Sequence, residues 1–65
     1  MTDATAARQI TERFGPEVFG MKFPSGPSRI AVIRKDSLGQ VLPIGSGPTW
    51  EHAINEALAW KAAQR

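Results

Sequence analysis

The sequence predicts an α+β fold of order α-β-β-β-α, a three-stranded antiparallel sheet with both helices packed on one face. Three observations carry that prediction. Apolar residues recur at three- and four-residue spacing near both ends of the chain and alternate with period two between them. The connections Pro24-Ser25-Gly26-Pro27 and Asp36-Ser37-Leu38-Gly39 are short, as antiparallel neighbours require. The chain of 65 residues fits one small domain, 1–65, with no internal repeat and no dividing linker.

The first helix is predicted over Asp3 to Phe14. Thr2 or Asp3 caps it, and Ala6, Ala7, Ile10 and Phe14 share its apolar face. Gly15-Pro16 stops it, since glycine takes a left-handed cap and proline cannot continue the helix. Val18 to Phe23 alternates as a strand, with Phe19, Met21 and Phe23 on one side. Two prolines and a glycine in four residues make Pro24 to Pro27 a turn. Arg29 to Lys35 is the clearest strand, carrying the run Ile30-Ala31-Val32-Ile33. Asp36 and Gly39 occupy the first and fourth positions favoured in a type I turn. Gln40 to Ile44 returns as a third strand, where Pro43 demands an edge or a bulge. Gly45-Ser46-Gly47-Pro48 is read as the turn that ends it. Thr49 then caps a helix running to about Gln64, with Glu51 at its positive end.

Composition narrows the function classes. A chain this short buries only about 60% of the surface its unfolded form exposes. Such folds are usually supported by disulfides, a metal or oligomerisation. There is no cysteine, and the single histidine, His52, cannot build a metal site alone. Neither a metal nor a cofactor is expected, and a dimer is the remaining support. The net charge of +2 and pI near 9.7 are mildly basic. No apolar run approaches the ~20 residues of a membrane span. The first residues do not read as a secretory signal, so the expected location is cytoplasmic. No paired catalytic groups stand out, and the expectation is a non-enzyme.

In this order of elements the chain resembles a double-stranded RNA-binding domain. Pro16-Glu17 precedes the first strand, where that family often has a proline. Gly26-Pro27-Ser28-Arg29 looks like the family's Gly-Pro-x-His loop, with Arg29 in the place of the histidine. Gly45-Ser46-Gly47-Pro48-Thr49, with Ala53 and Ala57 beyond it, looks like the family's glycine-rich turn, Ser/Thr cap and alanine-faced helix. The resemblance implies that the Gly26–Arg29 loop enters an RNA minor groove. It places Glu12 of the first helix on the same ligand. The chain departs from the family after the cap. Lysines that bridge phosphates there are replaced by Trp50, Glu51 and Ile54, which removes phosphate contacts on which duplex binding depends. A looser likeness to sheet-reading DNA-binding domains of the phage integrase arm type draws on Lys22, Arg29, Arg34 and Lys35.

Two functions from different classes follow. The first is a nucleic-acid-binding module of modest affinity for RNA or DNA, using Arg8, Glu12, Gly26, Pro27, Ser28, Arg29, Arg34 and Lys35. Ordinary solvated strand charge explains the same cations, and strand alternation puts Arg29 and Lys35 on one face and Arg34 on the other. The second is a protein-interaction or self-association module anchored on Trp50, Ile54 and Leu58, which form a stripe on the last helix. That stripe is either core or partner face, and its exposure decides between them. His52 reads as a solvent-exposed helix residue and Gly45-Ser46-Gly47 as a turn, not a phosphate cradle, since the P-loop lysine is missing. Either function suits a small accessory protein of a phage or bacterial gene cluster.

Overall fold

The computed structural model describes residues 1–26 and 29–64. Its elements are α1 (Asp3–Phe14), β1 (Val18–Lys22), β2 (Ile30–Lys35), β3 (Val41–Gly47) and α2 (Trp50–Ala63). The predicted α-β-β-β-α order is the observed one. The strands form one antiparallel sheet of order β1-β2-β3.

Local chemistry sets the helix ends. Thr2 caps α1, its hydroxyl accepting the Thr5 N–H at 3.1 Å. The neighbouring Asp3 is thereby left for other contacts. Gly15 ends α1 at φ +91 and ψ 179, its N–H donating to the Thr11 carbonyl at 2.9 Å. This is not the left-handed helical cap expected. It is an extended backbone at positive φ, which glycine adopts almost alone. Thr49 caps α2 by accepting the His52 N–H at 3.2 Å.

Hydrogen bonds close the strand pairs at both ends of β2. The ladder between β1 and β2 extends one pair beyond β1, with the Phe23 N–H donating to the Arg29 carbonyl at 2.7 Å. At the second turn the Asp36 carboxylate accepts the Leu38 and Gln40 N–H groups, each at 2.9 Å. Gly39, at φ +83, closes it by donating to the Asp36 carbonyl.

The third strand corrects the sequence reading. Gly45, Ser46 and Gly47 are not a turn; they continue β3 and pair with Val32, Ala31 and Ile30. The turn into α2 shrinks to Pro48-Thr49. The glycines are there for room: a Cβ on Gly45 would lie 2.3 Å from the Ala53 carbonyl oxygen and 2.6 Å from the Ala57 nitrogen. Lacking that Cβ, β3 lets the alanine face of α2 settle directly on its backbone. Val32 lies opposite Gly45 and Ile33 opposite Pro43, so Ile44 is an extra residue in β3. Pro43 therefore sits on an edge strand beside a bulge, where its missing N–H costs no ladder bond.

Both helices cover the same face of the sheet. The core joins Ala6 and Ile10 of α1, Val18, Ile30, Val32 and Ile44 of the strands, and Trp50, Ala53, Ile54 and Ala57 of α2. Phe14, Leu58 and Trp60 pack partly buried around it. The far ends of the helices are tied by Lys61, whose Nζ donates to the Arg13 carbonyl and lies 5.6 Å from the Phe14 ring centroid. A cation there also complements the negative end of the α1 dipole.

Candidate binding surfaces

The stripe Trp50-Ile54-Leu58 is core. Trp50 is 9% exposed and Ile54 4%, and Leu58 is half-buried against the same cluster. The indole lies under the sheet, and a Cβ on Gly20 would meet its Cζ3 at 2.4 Å. Its N–H donates to Asp3 Oδ1 at 3.0 Å, so the one polar atom of the ring is satisfied. These residues are thus not exposed anchors for a protein partner. The burial has a simple cause: the first turn of α2 places the indole between Asp3 and Ile10 of α1 and Gly20 of β1.

Asp3 is the hub of that corner. Besides the indole, its carboxylate meets Lys22 Nζ at 3.2 Å. The Trp50 hydrogen bond first, and Lys22 second, hold the Asp3 carboxyl below its ordinary range. Lys22 is therefore an ion-pair partner on the helix-covered side of the sheet. His52 lies over Gly47 of β3, where a Cβ would meet its Cδ2 at 2.2 Å, and its ring is 2.8 Å from Glu56, four residues along α2.

The proposed nucleic-acid residues do not converge. Arg8 and Glu12 are exposed on the outside of α1, away from the sheet's uncovered face. Gly26, at φ +106, and Arg29 belong to the first hairpin loop, whereas Pro27 and Ser28 lie outside the described residues. Arg34 and Lys35 are at the opposite end of β2, about 20 Å from Arg29 at the rise of an extended strand. Arg34 stands opposite Val18, hence on the helix side and half-buried, and Lys35 points the other way. The basic residues are a scatter, except that Arg29 and Lys35 follow the same alternation on one face.

That face is also the one that carries the aromatic residues of β1. Cross-strand register places Phe19 opposite Ile33, Met21 opposite Ala31, and Phe23 beside Arg29. Ser46, Pro43 and Val41 complete the face along β3. No helix covers it. Phe19, Met21 and Phe23 are 37%, 40% and 42% exposed, whereas Ala31 and Ile33 between the outer strands are buried. Val41 adds a fourth exposed apolar side chain at the margin. The sequence signal was available, since Phe19, Met21 and Phe23 alternate onto one side. What it lacked was knowledge of which side the helices take.

Comparison with protein-family models, with curated proteins and with solved structures finds no match to this chain. Among the described residues no helix is long and apolar enough to cross a membrane, and no group of His, Asp and Glu side chains is arranged to hold a metal ion.

Proposed function

We propose that this chain is a small non-catalytic module of double-stranded-RNA-binding-domain-like fold that binds nucleic acid with modest affinity through the open face of its sheet. The observation that carries the reading is the union, on one uncovered face, of exposed aromatic rings and the cations Arg29 and Lys35. The largest exposed apolar patch of a typical monomer is of a few hundred Å² and is often functional. The cations supply attraction to phosphate, and the rings supply contact with bases. Asp36, the acid next to Lys35 in sequence, has one carboxylate oxygen engaged by two backbone N–H groups of its own turn.

The duplex-binding surface implied by the resemblance is weaker here. Trp50 is in the core, Glu51 is exposed at the start of α2, and Glu56 is paired with His52. The first turn of α2 carries no Lys or Arg, and Glu51 there opposes a phosphate.

Titration of labelled single-stranded and duplex oligonucleotides, followed by fluorescence anisotropy, tests the reading. Two phosphate contacts give a slope of about −1.4 in log affinity against log salt for a single strand. Affinity should then fall about sevenfold between ~50 and ~200 mM salt. Absence of binding to every oligonucleotide at ~50 mM salt would end the proposal.

A further inference from the structure

We infer that the open sheet face takes single-stranded nucleic acid, with unpaired bases stacked on Phe19 and Phe23 and the backbone held by Arg29 and Lys35. The inference rests on the nucleic-acid reading above and names the form of the ligand.

The geometry favours an unpaired strand. Phe19, Met21 and Phe23 stand at alternate positions of β1 and its extension, so they form a row with steps of about 6.6 Å along an outer strand. Arg29 is beside the Phe23 end of that row, and Lys35 lies beyond the Phe19 end on the central strand. Aromatic side chains on a sheet stack two or three splayed bases, and stacking tolerates any base because each has a π-face. A duplex hides those faces inside its own stack. Reading a duplex from a sheet instead needs hydrogen-bonding side chains aimed at base edges. Between its two cations this face offers apolar side chains, with Ser46 as the one polar group on its described strands.

A second copy of the chain fits the face less well. The exposed apolar side chains amount to on the order of 300 Å², against ~800 Å² per partner in a standard protein interface. A symmetric pairing would also bring the Arg29 and Lys35 cations of two copies to one interface. Glu17, which precedes β1 and whose carbonyl accepts the Lys35 N–H at 2.9 Å, is the one acidic residue among the described ones on this alternation; it stands opposite Lys35, which leaves Arg29 as the cation on this face with no acid opposite it.

The test is anisotropy at ~50 mM salt with a labelled thymidine 20-mer, a mixed-sequence single strand and the matching duplex. Wild-type protein should bind both single strands more tightly than the duplex. Phe19→Leu with Phe23→Leu should weaken single-strand binding about twentyfold or more while leaving the salt slope unchanged. Arg29→Gln with Lys35→Gln should flatten the slope. Phe23→Leu alone, changed beyond the end of the strand, should weaken binding about fivefold and guards against a double variant that fails to fold.

If the phenylalanine variants bind as wild type while the charge variant does not, nucleic-acid binding stands and stacking is overturned. Tighter binding to the duplex also overturns it. If wild type binds no oligonucleotide, both readings fall. A dimer in sedimentation that the phenylalanine variants lose, without oligonucleotide binding, assigns the face to a second copy and overturns the proposal.

Discussion

The two faces of the sheet are built from alternate residues of the same strands, yet they differ at the outer strands. On the helix side β1 presents Val18 and Gly20 below Trp50 and Ile10, and β3 presents Gly45 and Gly47 below α2. On the other side β1 presents Phe19 and Met21. On the covered side, Gly20, Gly45 and Gly47 let α2 approach closely, while Val18, Ile30, Val32 and Ile44 fill the core. On the open side, the sheet keeps large apolar side chains over a third exposed. Part of each side chain packs across the strands, since Phe19 stands opposite the buried Ile33 and Met21 opposite the buried Ala31. The difference marks the helix side as the core and leaves Phe19, Met21 and Phe23 on the open side in contact with solvent.

The contrast can be broken most severely from the core side. Trp50→Ala should cost about 3–5 kcal/mol, the range for deleting a large buried aromatic. It also strips Asp3 of its indole donor. A domain of this size holds only ~3–10 kcal/mol in all, so chemical denaturation should show the variant largely unfolded or close to it. Gly45→Ala should cost about 3 kcal/mol or more, because the added methyl meets backbone atoms of α2, which can yield only by lifting the helix. Gly20→Ala should cost less, about 1–3 kcal/mol, since its obstacle is the edge of the Trp50 ring and not a backbone. A milder loss for Gly45→Ala than for Gly20→Ala in urea melts would mean that α2 is not seated on β3 as described.

Open-face substitutions should behave in the opposite way. Phe19→Leu or Met21→Leu should change stability by no more than about 1 kcal/mol, while binding suffers. The smallest effect is predicted for pH. The Asp3 carboxyl is held below its ordinary pKa of 3.8 in the fold, so its contribution is present at neutral pH. It is lost as pH falls through the ordinary value and on through the lowered one. Asp3→Asn should therefore flatten the acid limb of a stability-versus-pH curve. An unchanged acid limb would show that the Trp50 and Lys22 contacts contribute nothing.

The elements were legible in the sequence because their signals are local: Thr2 and Thr49 as caps, Gly15-Pro16 as a stop, Asp36 and Gly39 at a turn. The end of β3 was misread because Gly45-Ser46-Gly47 is locally a turn signal. Its real reason is contact with Ala53 and Ala57 of α2, which only the packed structure reveals. The candidate site was legible in its parts. Arg29 and Lys35 were placed on one face by alternation, and Phe19, Met21 and Phe23 on one face likewise. That these are the same face depends on the register between β1 and β2. The core position of Trp50 depends on where α1 lies, and no spacing within α2 encodes that.

The central claim is that ligand meets the open face of the sheet and not the helices. Carbon-detected NMR of side chains, with a single-stranded oligonucleotide titrated at ~50 mM salt, addresses it directly. Rings of Phe19 and Phe23 and the Met21 methyl should shift, while the methyls of Ala6, Ile10 and Ala53 on the covered side stay in place. Shifts concentrated at Arg8, Glu12 and the first turn of α2, with the open face silent, would contradict the account and return the ligand to the helices.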